Sequence, residues 1–217
     1  MGYDNIVIAF AGCARCGKTT SAEYTQKYIK NVLYEESKMM SFAGPLKRGL
    51  NIMGVDKEKD YDLYRELAQQ IGTNYLRTHD NDWWVDLMKR NIAEYFKNEN
   101  ESGKRGIVVI DDVRFQNESF MVNEMSHGIN VFVYGGAERI DLDMDVYKHA
   151  SEYLGVYFEK ISRGAEIESI TPDGKLGHIG GVGMDNIVGN MGNMEDLNIN
   201  IASLCQNIFL GKTYQTA

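Results

Sequence analysis

The apolar and polar positions of the chain alternate between short apolar runs and longer segments of helical periodicity. The apolar runs predict buried strands over 5–11, 38–43, 107–110, 130–134 and 185–188. The intervening segments predict helices over 20–32, 45–53, 63–78, 82–98, 115–125 and 195–209. This order predicts an α/β fold, with a mainly parallel sheet between helical layers and a ligand site at the carboxyl ends of the strands.

The two helical segments between the second and third strands each place apolar residues on one face. Leu63, Leu67, Ile71 and Tyr75 share a face of the first, and Val85, Met88, Ile92 and Phe96 share a face of the second. The least regular region is 138–183, which is rich in glycine and charge and which we interpret as a lid-like insertion. Within it, 153–158 is also compatible with a small hairpin or an oligomer contact. At 217 residues, one domain spanning 1–217 is expected.

A glycine-rich loop joins the first strand to the first helix. Its sequence, Gly12-Cys13-Ala14-Arg15-Cys16-Gly17-Lys18-Thr19, fits the phosphate-binding pattern Gly-x4-Gly-Lys-Ser/Thr. The glycines allow backbone N–H groups and a helix N-terminus to face phosphates, while Lys18 reaches the β and γ oxygens and Thr19 ligates Mg²⁺. The alternative is a glycine-rich turn before an ordinary helix, which would not require Lys18. The strand, loop and helix order favours nucleoside triphosphate binding.

An acidic pair and an arginine follow the third strand. Asp111 or Asp112 suits the Mg²⁺ shell of a phosphate-binding loop, although such a pair can also simply cap the next helix. Arg114 suits phosphate oxygens, and its alternative partner is a local salt bridge to Asp112 or Glu118.

Charge and composition exclude several classes of function. The net charge of −8 argues against a nucleic-acid-binding surface, which normally carries a basic excess. No apolar stretch approaches the roughly 20 residues of a bilayer span, and the chain enters its first strand without a leader, so we expect a cytoplasmic protein without a membrane partner.

The chain has three cysteines, two of which lie inside the glycine-rich loop. Cys13 and Cys16 have the spacing of redox and zinc sites, but the remaining Cys and His residues are too scattered to complete a zinc site. An oxidisable pair that blocks the loop is a second hypothesis, because a helix N-terminus lowers the pKa of a thiol.

Seven sequence elements together resemble the phage-type deoxynucleoside monophosphate kinases, in the same order and over nearly the whole chain. They are Gly12-x4-Gly17-Lys18-Thr19-Thr20, Phe42-Ala43-Gly44-Pro45-Leu46-Lys47, Ile71-Gly72-Thr73, Asp82-Trp83-Trp84, Asp112-Val113-Arg114-x3-Glu118, His149-x-Ser151-Glu152 and Asn190-x-Gly192. The resemblance implies a three-layer P-loop kinase fold with a helical acceptor-binding insertion at 54–99 and a lid. It also implies transfer of the ATP γ-phosphate to a deoxynucleoside 5′-monophosphate, with ATP and Mg²⁺ as cofactors, in the host cytoplasm if the protein is phage-encoded.

The resemblance assigns roles to individual residues. The donor nucleotide would contact the loop residues Gly12, Arg15, Gly17, Lys18, Thr19 and Thr20, and its adenine would contact Asn190. The acceptor would contact Phe42, Ala43, Lys47, Arg65, Arg114, Glu118, His149 and Glu152. The metal would be held by Thr19 with Asp111 or Asp112, and the transferring phosphate would meet Arg114 and the lid cation Arg163, with Asp112 also in the catalytic set.

Some positions leave alternatives open or depart from the family. Trp83 or Trp84 could stack on the acceptor base, and packing against the sheet is the alternative, favoured for Trp84. Arg77 is a weaker candidate for the acceptor phosphate. Thr19 stands where many relatives have Asp, and Ala14 stands where some have a basic residue.

Two other classes of function compete with this interpretation. Phosphomevalonate kinases share several of the motifs, and dephospho-coenzyme A kinases are a more distant version of a small-molecule kinase. The third class is a non-catalytic nucleotide switch or an ATPase acting on a macromolecule. The expected partners are small-molecule nucleotides without direct nucleic-acid contact; the accepted bases and homodimer formation stay open.

Overall fold

A central parallel sheet organises the computed structural model, which describes residues 4–135, 149–162, 186–190 and 194–210. Its strands are β1 (Ile6–Ala11), β2 (Lys38–Met40), β3 (Ile107–Val113), β4 (Gly128–Gly135) and β5 (Asn186–Asn190). They lie in the order β2-β3-β1-β4-β5, and every pair is parallel. Because β1 lies between β3 and β4, the connections leave its carboxyl end in opposite directions, which opens a crevice there.

Helices cover both faces of this sheet. They are α1 (Lys18–Val32), α2 (Gly44–Ile52), α3 (Tyr61–Gln69), α4 (Arg77–His79), α5 (Trp83–Glu101), α6 (Gln116–Asn123), α7 (Tyr153–Ser162) and α8 (Met194–Leu210). A π-helical segment, Gln70–Leu76, joins α3 to α4 without a break, and a 3-10 turn, Ala150–Glu152, precedes α7. None of the helices within these described ranges combines the length and apolar character that a bilayer span needs.

The core consists of two apolar layers, one on each face of the sheet. The alternation along β1 divides its residues, so that Ile8 and Phe10 pack with α1 and α8, while Val7 and Ala9 pack with α5 and α6. Every residue of β1 is buried. A strand covered on both faces reads as a continuous apolar run, which is why its position follows from the sequence.

The register of the sheet changes where β3 approaches the carboxyl edge. Ala9 pairs with Ile110 and Ala11 pairs with Val113, so β3 carries one additional residue over this stretch. Such an irregularity redirects side chains beside functional sites. Asp111 and Asp112 therefore lie within β3, near its carboxyl end. The sequence had predicted that they follow the strand.

The predicted fold class is confirmed, since helical layers enclose a parallel sheet with the glycine-rich loop at its central strand. Two local predictions were wrong. Leu63 and Tyr75 are 48% and 61% exposed, whereas Tyr64 is 8% exposed. Residues 153–158 belong to α7 and not to a hairpin. Most of the predicted lid, 138–183, lies outside the described residues.

Candidate active site

The glycine-rich loop lies between β1 and α1, and its backbone requires glycine at both ends. Gly12 has φ +147°, and a Cβ there would lie 2.3 Å from the Val133 carbonyl oxygen. Gly17 has φ +106°, and a Cβ there would lie 2.8 Å from Asn190 Nδ2. Arg15 also adopts a left-handed conformation, with φ 65°. The loop therefore curls tightly, as a cradle for phosphates must.

Lys18, at the start of α1, is buried and folds back over this loop. Its Nζ donates to the carbonyl oxygens of Gly12 at 2.7 Å and Cys13 at 2.5 Å. Lys18 is 7% exposed, so its ammonium group is stabilised by the loop carbonyls and not by water. A contact with a phosphate would replace one of these carbonyl contacts.

Thr19 and Asp111 meet on the floor of the site. Thr19 Oγ1 donates to Asp111 Oδ2 at 3.3 Å. The second oxygen, Asp111 Oδ1, is buried and has no hydrogen-bond partner among the described residues. Burial and the neighbouring Asp112 raise the pKa of Asp111 above its ordinary value. The Thr19 hydroxyl and the Asp111 carboxylate are oxygen donors of the kind that Mg²⁺ prefers.

Asp112, the other acid predicted for the Mg²⁺ shell, does not join this pair. Its Oδ1 accepts the Phe42 N–H at 2.7 Å, and its Oδ2 accepts the Ala43 N–H at 3.1 Å and the Ser41 hydroxyl at 2.6 Å. Lys47 Nζ lies 3.6 Å from the same carboxylate. Asp112 therefore fixes the turn that ends β2 and opens α2.

Two buried carboxylates bind Arg114, one through its side chain and the other through its backbone N–H. Glu152 accepts the Arg114 guanidinium through Oε1 and the Ala14 N–H through Oε2, the latter at 2.7 Å. Glu118 pairs with Arg77 through Oε1 and accepts the Arg114 N–H through Oε2 at 2.7 Å. The alternative to a phosphate contact for Arg114 was a local salt bridge to Asp112 or Glu118, and its ion-pair partner is instead Glu152.

Glu118 anchors the start of α6 as well as lining the cleft. It also accepts the Phe115 N–H at 3.1 Å, which caps α6. Arg77, its partner, stacks over the Phe115 ring with 3.7 Å between the guanidinium carbon and the ring centre. Burial raises the pKa of Glu118 to about 7, while Arg77 and the backbone N–H groups act in the opposite sense.

A cleft of about 540 Å³ opens at the carboxyl edge of the sheet, beside the loop. Its volume lies in the range of small-molecule sites. Its lining includes the predicted site residues Arg15, Gly17, Lys18, Thr19, Thr20, Phe42, Ala43, Lys47, Arg65, Asp111, Asp112, Arg114, Glu118 and Glu152. The structure thus brings together residues that are up to 137 positions apart in the chain, counted from Arg15 to Glu152.

The cleft is cationic although the protein is acidic. Seven basic and four acidic residues line it, against a net charge of −8 for the whole chain. Within the described ranges, Arg15, Lys57 and Arg65 form no ion pair. A concave site that concentrates uncompensated positive charge attracts anions.

Trp84 is packed in the core, as the alternative favoured for it predicts, whereas Trp83, the predicted base-stacking residue, is not in the cleft lining. Trp83 is 47% exposed and lies outside the cleft, beside Asp80, Asp86 and Arg90. Trp84 lines the cleft, is 7% exposed, and donates through Nε1 to the Gly72 carbonyl oxygen at 2.9 Å. Trp84 therefore packs α5 against the π-helical segment and also presents an aromatic surface to the cleft.

Three further predicted site residues lie outside the cleft lining, and a fourth falls outside the described ranges. Gly12 is buried at the base of the loop, and Asn190 Nδ2 donates to the Cys16 carbonyl oxygen at 3.0 Å, so Asn190 contacts the loop itself. His149 is not in the cleft lining; burial lowers its pKa, and its carbonyl accepts the Glu152 N–H at 2.9 Å. Arg163 lies outside the described residues.

The cysteines of the loop are buried and unreactive in character. Cys13 and Cys16 are 0% and 1% exposed, and burial raises the pKa of both thiols despite the nearby Lys18. Since the thiolate is the reactive form, this environment disfavours the oxidisable-pair hypothesis. No cluster of three or more His, Cys, Asp or Glu residues suited to a metal occurs in the described part of the chain.

Several cleft residues were missed by the sequence analysis. Lys57, Tyr61, Tyr64, Gln69 and Thr73 line the side formed by α3 and the π-helical segment. A helix face that meets a cleft does not show apolar periodicity. The apolar pattern of α3 therefore predicted that the face containing Leu63 is the buried one. The signal present was Tyr61 followed by Tyr64 and Arg65, because residues three and four positions after Tyr61 share its helix face.

Comparisons with known proteins give fold-level likeness only. No family model matches the chain, and no curated protein does. Among solved structures, a candidate kinase from Chloroflexus aurantiacus aligns at 10% identity and a TM-score of 0.47, over 98% of this chain and all of that one. A gluconokinase from Sinorhizobium meliloti aligns at 12% identity and a TM-score of 0.36, over the same shares. At these identities and TM-scores, neither structure bears on the activity, and what places the chain in the α/β class is its own sheet and loop.

Proposed function

We propose that the protein is a kinase that transfers the γ-phosphate of Mg-ATP to a deoxynucleoside 5′-monophosphate. The observation that carries the proposal is that the phosphate-binding loop and the Thr19–Asp111 pair open into a single cationic cleft. Phosphoryl transfer requires positioning and charge neutralisation more than covalent chemistry, and a cleft of this kind supplies both.

The donor end of the cleft is the glycine-rich loop. Its backbone N–H groups and the N-terminus of α1 suit the ATP phosphates, and Lys18 Nζ can exchange a loop carbonyl for a phosphate oxygen. Thr19 and Asp111 have the oxygen donors to hold Mg²⁺. When bound there, the ion would neutralise charge on the β and γ oxygens.

The acceptor end is formed by α2, α3 and the residues after β3. Lys47, Arg65 and Arg114 reach it from three different elements, so an acceptor phosphate would be neutralised from several sides. Tyr64 and Trp84 line the same region and offer aromatic faces that suit a base without selecting it. This combination of cations and aromatic surface, with the resemblance of the motifs, supports a nucleotide acceptor over a purely anionic one.

The test is an ADP-release assay with Mg-ATP against each deoxynucleoside and ribonucleoside monophosphate, with phosphomevalonate as a non-nucleotide acceptor. We expect turnover with at least one deoxynucleotide, and its loss by a factor of roughly 100 or more in Lys18→Ala. Lys97→Ala is the matched control, because Lys97 is an exposed lysine of α5 that pairs only with Glu101 among the described residues.

The acceptor panel also decides between the competing functions. Turnover with phosphomevalonate alone would replace the nucleotide acceptor by a small anionic one. ATP binding without stimulation by any acceptor would favour a nucleotide switch or an ATPase, and the kinase proposal would fail.

A further inference from the structure

We propose that Glu152 is a positioning residue that holds the Arg114 guanidinium against the phosphate-binding loop. This inference rests on the proposed function and assigns Glu152 a role different from the substrate contact that the resemblance implies. One carboxylate bonds two groups that lie far apart in the sequence, the Arg114 side chain and the Ala14 backbone N–H.

The geometry of Glu152 uses both of its oxygens. Oε1 pairs with the Arg114 guanidinium, and Oε2 accepts the Ala14 N–H at 2.7 Å. The Glu152 side chain is 4% exposed, whereas that of Arg114 is 37% exposed. The carboxylate is therefore sequestered, and the guanidinium is the partner that reaches the open cleft.

Glu152 is fixed in place by the packing of its own backbone. It ends the 3-10 turn that leads into α7, and Gly155, one turn later, lies directly on the loop. A Cβ on Gly155 would be 2.6 Å from Cys13 N and 2.6 Å from the Gly12 carbonyl carbon. Because main chain touches main chain here, the Glu152 carboxylate has a defined position relative to the loop.

Arg114 is held at both ends. Its backbone N–H donates to Glu118 Oε2 at 2.7 Å, and its guanidinium pairs with Glu152. A guanidinium has five N–H donors, and Glu152 is its single side-chain partner in the described ranges. The remaining donors lie at the cleft, between the loop and the acceptor end, where the transferring phosphoryl group would pass.

A direct role for Glu152 in substrate binding is chemically unfavourable. A phosphate approaching the Ala14 N–H would meet a carboxylate that already occupies this donor, and like charges at short range repel. Bonded instead to Arg114, the Glu152 carboxylate orients the Arg114 guanidinium. Because Glu152→Gln keeps an oxygen that can accept the Ala14 N–H, the loss that this variant causes should pass through Arg114.

A double-mutant cycle tests this dependence. The variants are Glu152→Gln, Arg114→Gln and the double variant, each measured for kcat, for KM of the acceptor and for Mg-ATP affinity by calorimetry. We expect Glu152→Gln to lower kcat by roughly tenfold to a hundredfold, because a misplaced catalytic group costs about that much. In the Arg114→Gln background, Glu152→Gln should change kcat by less than about twofold.

Two controls separate positioning from folding. Glu124→Gln removes one partner of an exposed ion pair, Lys89 with Glu124 at 3.4 Å outside the cleft, and should leave kcat unchanged. Glu152→Asp keeps the charge but withdraws the carboxylate from both partners. It should lose kcat as Glu152→Gln does, and circular dichroism should show it folded at the assay temperature although its melting temperature falls.

Multiplicative losses in the double variant would overturn the proposal, since they would mean that Glu152 acts independently of Arg114. An Arg114→Gln variant with wild-type kcat would overturn it as well. If the wild type turns over no acceptor, the proposed function fails separately, and the same cycle on Mg-ATP affinity still decides the role of Glu152: coupled effects support it and independent effects contradict it.

Discussion

The Asp112 carboxylate accepts the backbone N–H of Phe42 at 2.7 Å and so ties the end of β3 to the turn after β2. Its neighbour Asp111 instead meets Thr19 at 3.3 Å, on the floor of the cleft. The two adjacent aspartates thus have different partners. Asp112 fixes the turn that opens α2, and Asp111 bonds Thr19 beside the glycine-rich loop.

Conservative substitution should separate the two acids. Asp112→Asn is expected to lower the free energy of unfolding by about 1–3 kcal/mol, because a neutral amide cannot accept all the donors that Asp112 now binds. Asp111→Asn should leave stability nearly unchanged and raise the Mg²⁺ concentration for half-maximal activity by tenfold or more. Urea unfolding and Mg²⁺ titration measure the two effects. Equal Mg²⁺ dependence in both variants would contradict this division of roles.

The contact of α7 with the loop predicts a large effect from one methyl group. Gly155→Ala would place its Cβ 2.6 Å from backbone atoms of Gly12 and Cys13, which cannot yield as a flexible side chain would. We expect a loss of about 1–3 kcal/mol in stability and weaker Mg-ATP binding.

Gly49→Ala is the matched control for this change. Gly49 also lies in a helix, α2, and a Cβ there would meet nothing within 4 Å. It should gain about 0.5–1 kcal/mol, because alanine restricts the unfolded chain and favours the helix. Calorimetric unfolding of both variants checks the contrast, and a neutral Gly155→Ala would show that α7 does not rest on the loop.

Glu118 should make stability depend on pH. Its pKa rises from 4.5 to about 7 on folding, so the native state binds more protons than the unfolded state between those values. The free energy of unfolding should therefore fall as pH rises through this window. In Glu118→Gln this contribution disappears, and the slope between about pH 4.5 and 7 becomes less negative. Urea titrations at several pH values measure the slope, and identical slopes in the two proteins would contradict the assignment.

The tryptophans predict contrasting variants. Trp84→Phe leaves the Gly72 carbonyl without its indole donor and should cost about 1–3 kcal/mol in stability, with an increased KM for the acceptor. Trp83→Ala should change acceptor KM by less than about twofold, because Trp83 lies outside the cleft. A tenfold rise of KM in Trp83→Ala would instead restore Trp83 as the residue that stacks on the base.

The parts of the structure that followed from the sequence are those set by local pattern. The fully buried β1 predicts its own position, and the loop glycines are recognisable because they must adopt positive φ. The different fates of Asp111 and Asp112 did not follow. They depend on the register change in β3 and on a turn some 70 residues earlier in the chain.

Long-range contacts account for the rest of the difference. The hydrogen bond from the Ala14 N–H to Glu152 joins residues 138 positions apart, and no motif spacing predicts it. The position of Tyr64 was missed for another reason. Apolar periodicity reports which helix face meets a core, and this face of α3 meets a cleft.

The proposed reaction is phosphoryl transfer between two nucleotides bound in the cleft. The most direct measurement is ³¹P NMR of the wild-type protein with Mg-ATP and the deoxynucleoside monophosphates, following ADP, the new diphosphate and inorganic phosphate together. If the protein is such a kinase, ADP and the deoxynucleoside diphosphate appear in equal amounts, with no matching inorganic phosphate. Formation of ADP and inorganic phosphate in equal amounts, without a new diphosphate, would contradict it.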